Sequence, residues 1–153
     1  MTPYQLPCPA YPPGGPWHTL ISDILTAIRG EAEAIQMYTR LLGMAQTEED
    51  RTNLQHILND ERKHYAAFTR VYAMLTGMQS PPVQAPSPAF RTYAEGLKEA
   101  YYDELEAAEL YRTIVLSSGD LHVYRAFFEA MVDETEHAIR LNRLLYLAEE
   151  AGD

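Results

Sequence analysis

Glu-x-x-His occurs twice in this chain, as Glu61-Arg-Lys-His64 and Glu134-Thr-Glu-His137. On a helix a spacing of three puts both side chains on one face, so each copy offers a carboxylate and an imidazole together. A second glutamate repeats in step with the motif: Glu31 precedes Glu61 by the same interval that separates Glu104 from Glu134. Tyr38 and Tyr111 follow Glu31 and Glu104 by seven positions, nearly two helical turns, and so share their faces. Four carboxylates and two imidazoles in an apolar interior are very costly unless neutralised. Two divalent cations would balance the four negative charges, with neutral imidazole completing the coordination. Mixed oxygen and nitrogen donors suit iron or manganese. The chemistry implied is a two-metal centre with Glu31, Glu61, His64, Glu104, Glu134 and His137 as ligands.

The elements that position these residues read as four helices. Apolar residues recur at helical spacing from about Trp17 to Ala45, including Leu20, Ile24, Ile28, Ile35, Tyr38 and Leu41. Thr47 followed by Glu48, Glu49 and Asp50 supplies an N-cap and an acidic first turn for a second helix, which Gly77 ends. Residues 78–88 hold four prolines and form a connection without regular structure. A third helix is expected from about Ala89 to Leu116, a turn at 117–120, and a fourth helix from about Leu121 to Glu150. No sustained period-two alternation marks a strand. Residues 1–16, with six prolines, form an extended N-terminal arm, and residues 17–151 a single bundle.

Sliding the chain against itself so that Glu31 falls on Glu104 also aligns the whole stretch Glu31 to Tyr38 with Glu104 to Tyr111, Asp60 with Asp133, and Arg70 with Arg143. Two similar helical hairpins related by an approximate twofold axis follow. Glu31 and Glu61 are equidistant from the first turn, and Glu104 and Glu134 from the last. Each hairpin therefore sets two carboxylates at one height, and packing the hairpins brings four to one level. The faces carrying them include Ile35, Leu42, Leu58, Leu105 and Ile114 and point inward. Second and third helices of more than about 25 residues measure roughly 38 Å, and about 11 extended residues reach roughly 34 Å. The 78–88 connection is thus expected to run along the bundle.

One Glu from each of two helices with Glu-x-x-His from each of the others is the ligand pattern of carboxylate-bridged di-iron bundles. The chain resembles the ferritin-like superfamily over about residues 19–150, on the side of the rubrerythrins and bacterioferritins, where Glu with Tyr at +7 and Asp-Glu-x-x-His mark alternate helices. The resemblance implies an all-α ferritin-like four-helix bundle with a long connection between its second and third helices. It implies two Fe ions, alternatively two Mn ions, with Glu61 and Glu134 bridging, Glu31 and Glu104 more terminal, and one His per metal. Asp60 and Asp133 would then fix the imidazoles of the opposing hairpin from behind the ligands. Tyr38 and Tyr111 would donate a hydrogen bond to a bound carboxylate and could supply an electron.

Two features depart from rubrerythrins. The additional carboxylate they carry three positions after the third-helix Glu is here Ala107, matched by Ala34, and the four-cysteine rubredoxin iron site is impossible with Cys8 as the single cysteine. An external electron donor is therefore required.

A net charge of −10 with a pI near 4.9 repels phosphate backbones and anionic lipid, which argues against nucleic acid and favours cations. No run of 18 apolar residues would span a bilayer, and no basic, apolar leader opens the chain, so a cytoplasmic protein is expected. Glu33 and Glu106 rotate about 200° from the ligand face and read as surface acids. His18, His56 and His122 lack a partner in the repeat and read as surface or packing residues. The function expected is a non-haem di-iron or di-manganese oxidoreductase. It reduces hydrogen peroxide or O₂, since nothing in the sequence marks a pocket for an organic substrate, protects against oxidative stress and works as a homo-oligomer. The alternative is a ferritin-like ferroxidase that stores or handles iron.

Overall fold

The structure, a computed structural model, describes residues 15–152. Residues 1–14 of the expected arm, with Cys8, lie outside the described residues. Helix α1 spans Pro16–Met44, α2 Glu48–Thr76, α3 Tyr93–Ser117 and α4 Leu121–Ala151. Among the described residues there is no strand. Helix α1 packs on α2 and α3, and α4 on α3 and α2, so α1 and α4 occupy opposite corners of a square bundle.

Local chemistry sets the helix ends. Pro16 opens α1 at a position where its missing N–H is not needed. At α2 the Thr47 hydroxyl accepts from the Asp50 N–H at 3.0 Å, while the Asp50 carboxylate accepts from the Thr47 N–H at 2.8 Å. Gly77 closes α2 in the left-handed conformation, φ 73°, where a Cβ would be strained. Helix α3 begins at Tyr93, four positions later than the apolar pattern suggests. Thr92 and Glu95 form its capping box, and residues 89–92 remain non-helical. Phe90 is in the core instead, and Arg40 donates to the Pro88 carbonyl at 2.6 Å and to the Phe90 carbonyl at 2.5 Å.

The 77–92 connection runs the length of the bundle. Val83 packs on the apolar cluster of Leu20, Ile24, Phe68, Val71, Ile114 and Phe127, and Phe90 belongs to the other cluster, with Leu41, Leu54, Leu97, Leu141 and Leu144. The clusters occupy opposite ends, and the ligand candidates lie in the layer between them. Ile114 and Leu58 are buried as the inward faces require, and Ile35 and Leu42 are half-buried. Leu105 is not: it is 39% exposed, because one step beyond Glu104 turns it about 100° away from the core.

Candidate metal centre

All six ligand candidates are buried: Glu31 on α1, Glu61 and His64 on α2, Glu104 on α3, Glu134 and His137 on α4. His64 Nδ1 lies 3.1 Å from Glu134 Oε1, 3.6 Å from Glu61 Oε2 and 3.8 Å from Glu31 Oε2. His137 Nδ1 lies 2.9 Å from Glu134 Oε2, 3.1 Å from Glu61 Oε1 and 3.7 Å from Glu104 Oε2. Two four-residue donor groups result, Glu31, Glu61, His64 and Glu134, and Glu61, Glu104, Glu134 and His137, each with its donor atoms within 4.8 Å of one another. Only Glu61 and Glu134 belong to both, which is the geometry a pair of bridging carboxylates needs.

The donors are unsatisfied by the protein alone. Glu31 Oε2, Glu61 Oε1, Glu134 Oε1 and His64 Nδ1 are buried with no well-formed hydrogen bond. Such groups each carry a desolvation penalty unless a cation or proton meets them. The residues therefore fit two divalent cations in number, in donor type and in the atoms left free.

Electrostatics give the same pairing. Burial, reinforced by Glu61, pushes the Glu31 carboxyl well above the usual range, and burial with Glu61 and Glu134 does so for Glu104. Burial also opposes ionisation of Glu61, but the His137 and His64 imidazoles, 3.1 and 3.6 Å away, outweigh it and hold its carboxyl down at about 2. His64 is disfavoured as a cation by burial, yet Glu134 and Glu61 raise it to about 10. His137, also opposed by burial, shifts upward in the same way through Glu104, Glu134 and Glu61.

Behind the two donor groups, His64 Nε2 lies 3.1 Å from Asp133 Oδ2 and His137 Nε2 3.4 Å from Asp60 Oδ2. Each aspartate sits on the opposing hairpin, as the sequence suggests. With Nε2–H donating to Asp, each imidazole turns Nδ1 toward the glutamates. The tyrosines cross between hairpins as well: Tyr38 donates to Glu104 Oε1 and Tyr111 to Glu31 Oε1. Burial and the neighbouring carboxylates push both phenols well above their ordinary range, so they stay protonated donors.

Two features are not legible from the repeat. His56, which reads as a surface or packing residue, is 45% exposed but holds Nε2 3.2 Å from Asp60 Oδ2, with its ring edge-on to His137. Its spacing of four before Asp60 is the available signal; Glu129 occupies the matching place in the second repeat. Lys63 Nζ also meets Asp60, at 2.6 Å. The second feature is a cavity of about 500 Å³ between α1 and α3, where the sequence marks no pocket. Its floor is Glu31, Glu61, Glu104 and Glu134 with Tyr38 and Tyr111. Ala34 and Ala107 leave the space, and the exposed Glu33, Glu99, Asp103 and Glu106 line its outer part with Arg29. Glu33 and Glu106 are exposed, as expected, and so are His18 and His122.

The Rubrerythrin family model matches residues 23–145. The uncharacterized protein YhjR of Bacillus subtilis strain 168 is 32% identical over 130 residues, covering 85% of this chain and 88% of that protein. Among solved structures, the bacterioferritin-related protein of Bacteroides fragilis, described as a dodecameric thioferritin, superposes with a TM-score of 0.75 at 17% identity, over 88% of each chain. A protein of Xanthomonas campestris pv. campestris gives a TM-score of 0.76 at 17% identity, over 90% of this chain and 95% of the other. At those identities the structural matches speak to fold, which is ferritin-like. Among the described residues, no helix is long and apolar enough to cross a membrane.

Proposed function

The chain belongs to the rubrerythrin family, and on that footing we propose that it is a cytoplasmic non-haem di-iron oxidoreductase that reduces hydrogen peroxide or O₂, with Glu31, Glu61, His64, Glu104, Glu134 and His137 as its metal ligands. The observation that carries this reading is the sharing of Glu61 and Glu134 between two four-donor groups. Two iron ions held there would supply two one-electron changes of oxidation state, the pair of electrons that, with two protons, takes hydrogen peroxide to two waters or O₂ to hydrogen peroxide; manganese is the alternative metal. Four carboxylates favour the more highly charged oxidised pair. Asp60 and Asp133 orient the imidazoles, while Tyr38 and Tyr111 hold Glu104 and Glu31 by hydrogen bonds. The cavity between α1 and α3 gives a small oxidant a way to the centre. Electrons come from an external donor.

A second reading, iron oxidation and handling, is favoured by the exposed acids Glu33, Glu99, Asp103 and Glu106, which concentrate cations at the outer part of the cavity. A homo-oligomer suits either reading and is supported by the dodecameric assembly of the Bacteroides fragilis neighbour. Rapid mixing of Fe(II)-loaded protein with peroxide and with O₂, followed by repeated turnover with an added reductant, tests the proposal. Oxidation faster than free Fe(II) and many turnovers per centre are expected. A single round of oxidation with retained iron would select the second reading, and a loaded protein inert to both oxidants would sink the first.

A further inference from the structure

Helix α4 carries an apolar stripe on the side away from the core. Leu121, Tyr124, Phe128, Val132, Ile139 and Tyr146 are between 42% and 68% exposed. At 100° per residue all six fall within a sector of about 80°, opposite the buried Val123, Phe127, Ala130, Leu141 and Leu144. From Leu121 to Tyr146 the stripe extends roughly 38 Å, nearly the whole helix.

The internal repeat provides a control for what the fold itself demands. In the alignment that sets Glu61 on Glu134, the same six positions on α2 are Glu48, Arg51, Gln55, Asn59, Ala66 and Ala73. Helix α2 occupies the equivalent place in the first hairpin, and there the outward face is polar or small. Nothing in the bundle therefore requires large apolar residues on the outside of α4.

Half-exposed side chains of this size leave about 100 Å² each in water, so the stripe presents roughly 600 Å² of apolar surface. That is at the upper limit of about 300–600 Å² for the largest patch on a monomer. With a flanking rim it reaches the ~800 Å² per partner of a stable protein interface. The flank carries both signs, Arg125 and Arg143 with Glu129 and Glu136, and so lacks the single sign that would mark an oppositely charged partner.

We propose that the outer face of α4 is a homodimer interface, covered in solution by α4 of a second copy of this chain about a twofold axis. Such a contact is self-complementary and closes on itself. It leaves the cavity between α1 and α3 open, since α1 lies at the corner opposite α4. The pairing is independent of which oxidant, if any, the metal centre reduces.

The test is sedimentation velocity of the full chain, paired with cross-linking. Wild type is expected to contain the dimer at micromolar concentration. Phe128→Glu with Ile139→Glu should weaken association by roughly 100-fold or more, with unchanged helicity and metal content as the sign that the fold survives. In a Cys8→Ser background, Val132→Cys, near the middle of the stripe, should couple to its own copy through a short bismaleimide, whereas Thr39→Cys on α1 should not. A monomeric wild type overturns the proposal, as does a dimer indifferent to the double substitution. A wild type that dimerises only after removal of residues 1–14 also overturns it, by making the N-terminal arm the occupant.

Discussion

Glu61 and Glu134 differ from Glu31 and Glu104 in belonging to both donor groups, and removal of each kind should read differently in metal content. Glu31→Ala or Glu104→Ala is expected to lose about one metal per chain, and Glu61→Ala or Glu134→Ala more than one, since a shared ligand serves both sites. Metal analysis after loading and desalting decides it; full occupancy at unchanged affinity in Glu61→Ala would remove the bridging assignment. The protons on these residues give a second prediction. Without metal, burial pushes the Glu31 and Glu104 carboxyls up, and the glutamates keep His64 and His137 protonated near neutrality. Donors must lose such protons to bind, so loading two metals should release at least the two imidazole protons near pH 7. Affinity must then rise with pH. Calorimetry in buffers of different ionisation enthalpy counts the protons, and release of fewer than one would contradict the charge states derived above.

The four helices were legible because their ends carry chemistry that the sequence spells out: Thr47 with its acids, Gly77, and Asp120 before α4. The start of the third helix was not, because Ala89, Phe90 and Tyr93 fit a helical period, although Thr92 and Glu95 already mark the capping box. Phe90 follows a tertiary demand instead. Its ring lies under the Arg40 guanidinium at 4.5 Å and presses on Gly96, pinning the end of the long connection to α1 and α3. A Cβ on Gly96 would stand 2.6 Å from Phe90 Cε2 and 2.8 Å from Leu41 Cδ2, both in buried side chains. Gly96→Ala should therefore destabilise the protein by about 1–3 kcal/mol through overpacking, despite alanine's better helix propensity. Urea unfolding measures it. A variant as stable as wild type would mean that the connection yields easily at Phe90.

At the scale of the molecule, the repeat revealed the layer of buried glutamates and histidines because its residues answer to one another at fixed spacing. The cavity and the α4 stripe were not legible, since each depends on which helix faces are left uncovered once four helices pack. The same packing makes the middle of the bundle its charged layer, between two apolar ends. Metal binding to the native state stabilises it by about 2.7 kcal/mol per site at a hundredfold excess over Kd. At roughly 2–4 °C per kcal/mol for a chain of this size, one site raises Tm by about 5–11 °C. The rise should depend on pH. His64, moved from an ordinary 6.5 to about 10 in the metal-free fold, contributes stability fully present below 6.5 and lost as pH climbs through about 10. Over the same range protons cease to compete with metal for His64. The difference in Tm between Mn(II)-loaded and metal-free protein should thus widen from about pH 6 to about pH 8, and Glu61→Ala with Glu134→Ala should abolish most of it. Calorimetric scans at fixed free Mn(II) test both statements, and a difference that narrows with pH would show that the metal-free site is not held together by protons.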